Sequence, residues 1–574
     1  MVRKCLISIL LVLTVTASQL NTMPFAASAV AHGGSVARHS SVVRHTSLGV
    51  IRGADESRTT GTYAWRGIPY AEPPVGPLRW HAPVTHRPWR GVRDTRHFGD
   101  GCIQEGRLFS PAPSGPHYGL DVRNGLNKPV GAENCLTLNV FRPSNHRKNL
   151  PVIVFIHGGS NMVGYSADPM YDGRGLARKA NAVVVTMNYR LGIFGWLDLP
   201  GLKTGDQAND SGNFGTLDQI EALRFVNRNA RAFGGDPSNV TVMGESAGAV
   251  NVWALMVSPL STGLIDKAIP LSGGLKFATP SAARTYAEGF ADEALSSAPG
   301  ANGSGVSDNA DEVVRRLRAM PADELIRAQV RYSEEAGQPP RVIADGSVLP
   351  EDYHAAIADG EYQKIPVLAG NTLEEGKLFG SAIGAYRPTD YERFTMQYRF
   401  DPNQPSPYTV DDFIADKYLP VDGPGGWNEA SDKLTDSIFT GIIHDSMNSL
   451  QAAGNDQLYY YRFGWDQEPA PFDKVYGSAH AIDLPFVFHT FDEGFFEFAF
   501  SRKNEPGRLR LSNLMINSVR AFIRTGNPQH PGLGEQWEQW PHSMDFDAGD
   551  RWASATPGSV KGEAPAKSTR AAGG

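Results

Sequence analysis

The feature that most limits the fold is a short stretch near the middle of the chain. The apolar run Asn239–Met243 passes directly into Gly244-Glu245-Ser246-Ala247-Gly248, and a helix-compatible run with Val252, Trp253, Leu255 and Met256 follows. A strand, a G-x-S-x-G turn and a helix in that order form a nucleophile elbow. The chain has to reverse within about two residues, which forces the central serine into a strained backbone conformation. Small flanking residues let strand and helix pack that closely. The turn lifts the Ser246 hydroxyl clear of the backbone at the start of a helix. There the positive end of the helix dipole favours a developing oxyanion.

The rest of the chain supplies the matching elements. Short apolar runs bounded by turn signals recur at Pro151–Ile156, Ala182–Met187, Ala268–Leu271, Ile365–Ala369 and Leu458–Phe463. Such runs suit strands of a parallel sheet covered on both faces. Leu217, Ile220, Leu223, Val226, Ala230 and Phe233 recur at steps of three and four, one face of a helix. Gly234-Gly235 then ends that helix. The expected class is α/β, a large mostly parallel central sheet with helices on both faces. No internal repeat or long linker divides the chain.

The ends read differently. Arg3 and Lys4 precede an apolar run from Cys5 to about Val15, and small residues end near Ala29 or Ala31. This is the pattern of a secretory signal peptide over residues 1–29, and it is shorter than the roughly 20 apolar residues of a membrane anchor. The expected location is secreted or periplasmic, with no membrane anchor after cleavage. Losing two cations takes the formal net charge from −7 to −9 and leaves Cys102 and Cys135 of three cysteines. An even count in an oxidising compartment invites pairing, and loop closure would contribute roughly 3–4 kcal/mol. Residues 30–45 read as a flexible leader, Ser296–Asp311 as a surface loop, and 553–574 as a disordered tail. With 54 basic against 61 acidic residues, the chain lacks the basic footprint of a nucleic-acid binder.

Acyl chemistry through a serine needs oxyanion donors, a base and an orienting acid. One expected donor is the N–H of Ala247, directly after the serine. Strand Pro151–Ile156 leads into His157-Gly158-Gly159-Ser160, where glycines allow close backbone approach. Strand Ile365–Ala369 leads to Glu374-Glu375-Gly376, and either carboxylate could orient an imidazole. His444, His480, His489, His530 and His542 follow. No Cys/His spacing suits a metal, and no cofactor is expected.

Taken in order, the motifs resemble the type-B carboxylesterase family of α/β-hydrolases, which includes cholinesterase-like and para-nitrobenzyl esterase-like proteins. The matching text is Arg66-Gly67-Ile68-Pro69-Tyr70-Ala71 with Pro73-Pro74-Val75-Gly76, Glu133-Asn134-Cys135-Leu136-Thr137-Leu138-Asn139-Val140, Asn188-Tyr189-Arg190-Leu191-Gly192, Gly212-Asn213-Phe214-Gly215, and Phe233–Pro237 into the elbow. The resemblance runs from about Ser47 to Pro541. It implies an α/β-hydrolase fold in one domain over residues 46–552 and supports a Cys102–Cys135 bridge. It implies Gly159 and Ser160 as the further oxyanion donors. It selects Glu375 as the acid, because the family places its acid directly before the glycine, and leaves Glu374 as a solvated neighbour. It selects His480 as the base, with an acid and F-V-F after it. His489 then reads as a packing residue and His157 as a support for the glycine loop. Ser272 and Asp483 are candidates to support the triad. The sequence departs from the family at Ser160, usually glycine, and at Asn161, usually aromatic, which makes the pocket wall more polar.

The resemblance implies hydrolysis of a small-molecule carboxylic ester through an acyl-enzyme on Ser246. The segment between Cys102 and Cys135 contains no Trp, where cholinesterases carry one, and Leu378 stands where many of them carry an aromatic. Both read against choline esters, which need an aromatic cage. The competing classes are a non-enzymatic binding module, whose family members typically lack the serine, and an amidase or acyltransferase on the same fold.

Overall fold

The computed structural model describes residues 41–559, apart from 114, 116–117, 298–308 and 338–339. The signal segment 1–29 and most of the leader lie outside the described residues. The leader gives way to structure earlier than expected, since Val43–Thr46 already pairs with Gly49–Arg52 in a hairpin. Most of the Ser296–Asp311 loop is likewise outside, and Ala310 opens a helix that runs to Ala319.

One sheet of eleven strands runs through the chain, numbered here β1–β11 in chain order: Ala54–Glu56, Thr62–Pro69, Thr137–Pro143, Leu150–Ile156, Val183–Met187, Gly235–Glu245, Lys267–Leu271, Val367–Thr372, Leu458–Phe463, His542–Ala548 and Ala553–Ser559. Their order in space is β11-β10-β9-β8-β7-β6-β4-β5-β3-β2-β1. From β10 to β5 every neighbouring pair is parallel, and antiparallel strands flank that block on both sides. All seven residues of β4 and all five of β5 are buried, as strands covered on both faces must be. The α/β expectation is therefore met, with every apolar run named above forming a parallel strand.

The helix read from the Leu217–Phe233 periodicity is α-helical over Phe214–Asn229 and tightens to 3₁₀ over Ala230–Phe233. Gly234 stops it in the left-handed region, φ 81°. Asp218 on its buried face takes both forks of Arg190, at 2.7 Å each, which ties the loop after β5 to the helix. The tail is corrected at its start. Ala553–Ser559 pairs antiparallel with β10 over its whole length. Its Ala, Ser, Pro and Gly give no strand signal of their own. The open edge of β10 supplies the partner, and an edge strand tolerates Pro557.

The connection β4–β5 leads one way across the sheet and β6 returns to the other side of β4, so strand order reverses there. Open α/β sheets form their clefts at such a point, beyond the carboxyl ends of the strands. Gly244 in β6 stands opposite Ile156 in β4, which sets the serine elbow beside the glycine loop.

Candidate active site

Ser246 follows the last residue of β6 and caps the helix Ala247–Val257. Its φ is 58°, a left-handed value that a non-glycine residue holds only under constraint. The Ser246 N–H donates to Leu271 O at 2.8 Å, and Ala249 N–H donates back to Ser246 O at 2.9 Å. The flanking glycines are required by space. A Cβ on Gly244 would meet Gly248 O at 2.3 Å, and one on Gly248 would meet Ile156 O at 2.1 Å.

Gly158, Gly159 and Ser160 line the same cavity as Ser246 and His480, a space of about 330 Å³. Gly159, Ser160 and Asn161 all have positive φ, so the loop turns through the left-handed region in three successive residues. Met162 and Val163 N–H groups donate to Gly159 O, at 2.9 and 3.0 Å. His157 holds this loop. Its ring stacks on Tyr189 at 4.5 Å, and its Nδ1 lies 2.9 Å from Gly158 O, an acceptor only, so Nδ1 carries the proton. Burial lowers its pKa to about 4, which keeps the ring neutral. Asn161 does not wall the cavity. It is buried, and its Oδ1 accepts from Asn251 Nδ2 at 2.9 Å and from Tyr189 OH at 3.2 Å. The expected polar wall at Asn161 is therefore absent, because the side chain finds its partners inside.

Glu375 lies just past β8, fully buried. Its Oε1 accepts from Ser272 Oγ at 2.6 Å and Thr372 N–H at 2.8 Å, and its Oε2 meets His480 Nδ1. Gly376 follows because a Cβ there would meet Ser431 O at 2.2 Å. Glu374 corrects the reading of a solvated neighbour. Its Oε2 accepts from Ser478 N–H at 2.9 Å, and its Oε1 pairs with the buried Lys377 Nζ at 2.5 Å. It thus straps down the loop two residues before His480.

His480 packs against Phe379 and Phe439, with ring centroids at 5.1 and 4.7 Å. Its Nε2 lies 2.9 Å from Glu245 Oε1, off the N–H direction, so this is a contact of charges and not a formed hydrogen bond. Burial by itself lowers the pKa of this imidazole. The carboxylates of Glu245 and Glu375 outweigh burial and raise it to about 10. Asp483 accepts from Tyr461 OH at 2.6 Å, and burial raises its carboxyl to about 7, so it sits behind the site without touching His480 by hydrogen bond. His489 is a packing residue, with Nδ1 2.9 Å from Ser512 Oγ. Cys102 and Cys135 form a disulfide.

The structure thus brings Ser246, His480, Glu375, Ser272, Gly159, Ser160 and Ala247 to one end of the sheet. Two contributions escaped sequence reasoning. One is the Glu245 side chain at Nε2, inside the motif but read only as filler. The other is Glu105 and Arg107, which line the cavity from the disulfide-closed segment. Phe109, Met162, Val163, Met170 and Leu378 make the remaining wall apolar. Among the described residues, no group of three or more His, Cys, Asp or Glu is arranged to hold a metal ion.

The chain is similar to known proteins over most of its length. A family model described as the carboxylesterase family matches residues 40–549. A para-nitrobenzyl esterase of Bacillus subtilis (strain 168) is 34% identical over 506 residues, covering 86% of this chain and 91% of the relative. A cocaine esterase of Homo sapiens is 30% identical over 533 residues, covering 89% and 87%. The solved structure of a thermophilic para-nitrobenzyl esterase superposes with a TM-score of 0.70 at 30% identity, covering 90% of this chain and 97% of the other.

Proposed function

The chain belongs to the carboxylesterase family and is a carboxylic ester hydrolase, and from that premise we propose that it works through an acyl-enzyme on Ser246, with His480 as base and Glu375 as orienting acid. The supporting observation is the buried relay from Ser272 through Glu375 to His480, which ends in the cavity that Ser246 also lines. His480 takes the Ser246 proton as the hydroxyl oxygen attacks the ester carbonyl. The oxyanion rests on the N–H groups of Gly159, Ser160 and Ala247. His480 returns the proton to the departing alcohol, and water then releases the acid by the same steps. Glu375 keeps the proton on Nδ1 throughout. Because Nε2 rests against Glu245, the cycle begins only when His480 has lost its extra proton and Nε2 turns to Ser246.

Ser246→Ala is expected to lower hydrolysis of a simple aryl ester by a factor on the order of 10⁵–10⁶, as loss of a triad serine does in a protease. A fluorophosphonate probe should label Ser246 in the parent protein. Undiminished turnover in the variant, or a probe adduct elsewhere, would overturn the reading. Export is part of the proposal, supported by the Arg3-Lys4 start, the apolar run and the Cys102–Cys135 bridge. N-terminal sequencing of the exported protein should find a start near Ala29 or Ala31, and an intact Met1 on protein kept in the cytoplasm would contradict it.

A further inference from the structure

We propose that Arg107 selects esters carrying an anionic group, a carboxylate above all, at a distance from the scissile bond. The inference rests on the esterase reading of the same cavity and adds the class of substrate. Apart from His480 at the reacting end, Arg107 is the basic side chain in the cavity lining. Its Nε donates to Glu105 Oε2 at 2.7 Å. That bond holds one edge of the guanidinium. Among the described residues no protein acceptor takes a hydrogen bond from Nη1 or Nη2, so two parallel donors remain. Two parallel N–H groups are the fork that matches a carboxylate.

The division of roles follows from burial. Glu105 is 12% exposed and Arg107 is 46% exposed, so the acid is the fixed partner and the base is presented. The two carboxylates in the lining are both engaged, Glu105 by Arg107 and Glu245 by His480. The charge presented outward is therefore the guanidinium, since both carboxylates are buried deeper than Arg107, and an anionic substrate finds unused donors there. Away from the oxyanion donors and the Ser160 and Tyr171 hydroxyls the wall is apolar, which makes the preference one of position as well as sign.

The arginine stands on a rigid base. Arg107 N–H donates to Ser110 Oγ at 2.9 Å, and that hydroxyl donates to Glu105 O at 2.8 Å, closing a tight turn. Gly106 N–H donates to Lys128 O at 2.7 Å. Gln104 then joins the segment to the glycine loop. Its amide donates to Gly164 O at 2.9 Å and accepts from Gly164 N–H at 2.8 Å. The distance between the guanidinium and the oxyanion loop is therefore set by hydrogen bonds, and a rigid span between binding group and reacting group is what substrate selection needs.

The test is a ratio of kcat/KM values for matched charged and neutral esters. One pair is mono-4-nitrophenyl glutarate against 4-nitrophenyl pentanoate, with the charge on the acyl side. The other is 4-carboxyphenyl acetate against 4-carbamoylphenyl acetate, with the charge on the leaving group. In Arg107→Gln the charged-to-neutral ratio is expected to fall about five-fold or more for at least one pair, the scale of one partly exposed ion pair. Arg107→Lys keeps the charge without the fork and should give an intermediate ratio. A ratio cancels any general loss of activity within each variant, and the half-exposed position makes both variants foldable. Ratios that move less than about two-fold in both variants would overturn the proposal while leaving the esterase reading intact. Loss of that reading would instead show as ester hydrolysis independent of Ser246.

Discussion

Glu245→Gln removes one of the two charges that hold the His480 proton, and the consequence is a shift in pH dependence. The imidazole is raised to about 10 by Glu245 and Glu375 against the opposing effect of burial. A base works only when deprotonated, so kcat/KM should rise with pH on the alkaline side of the ordinary imidazole value. Without the Glu245 charge the pKa falls, and the acid limb of the profile should move to lower pH. A limb that stays in place would show that Glu245 does not act on His480. The same raised pKa bears on stability. Its contribution is fully present below the unfolded value near 6.5 and is lost as pH rises towards about 10. At this scale the sequence was partly legible. Ser246 could be read because the steric demand of its turn is local. Glu375 could not be told from Glu374 by chemistry, since each is a carboxylate after the same strand, and only the resemblance separated them. What distinguishes them is the hydroxyl of Ser272, 103 positions away in sequence.

Between single residues and the whole lie the loops that carry the site. Glu374 joins the loop before His480 to the short helical segment after β8, through Ser478 and the buried Lys377. Glu374→Gln leaves Lys377 buried without its partner, a change that costs about 3 kcal/mol or more. Urea unfolding should show that loss, and kcat should fall more than KM changes, because the loop positions the base and not the ester. Reducing the Cys102–Cys135 bridge frees a loop with a sequence separation of 33. It should lower stability by about 3–4 kcal/mol, measured by thermal unfolding with and without reductant. The apolar strands were readable from their runs. The Gly- and Pro-rich disulfide loop was not, because its shape comes from the Gln104 and Ser110 hydrogen bonds and not from any periodicity.

At the scale of the whole molecule, the sheet has an edge that the sequence concealed. Removing residues 553–574 would expose the ladder of β10, whose His542–Ala548 are paired by β11. An unpaired edge recruits other chains, so this truncation should aggregate on concentration, as light scattering would report. A truncated protein that stays monodisperse and active would show that β11 is dispensable. The order of strands was beyond sequence reading, since parallel neighbours are chosen by crossovers and packing and not by local pattern. That order also decides when the chain can act. Glu375 and His480 meet across 105 positions, and Ser246 lies earlier still. On the proposed mechanism, His480 has to leave the ribosome and join the fold before an ester can be cut. A chain that stops short of His480 lacks the base of that mechanism. Long-range pairing of this kind slows folding, and under the proposed triad hydrolysis waits for the fold to reach His480.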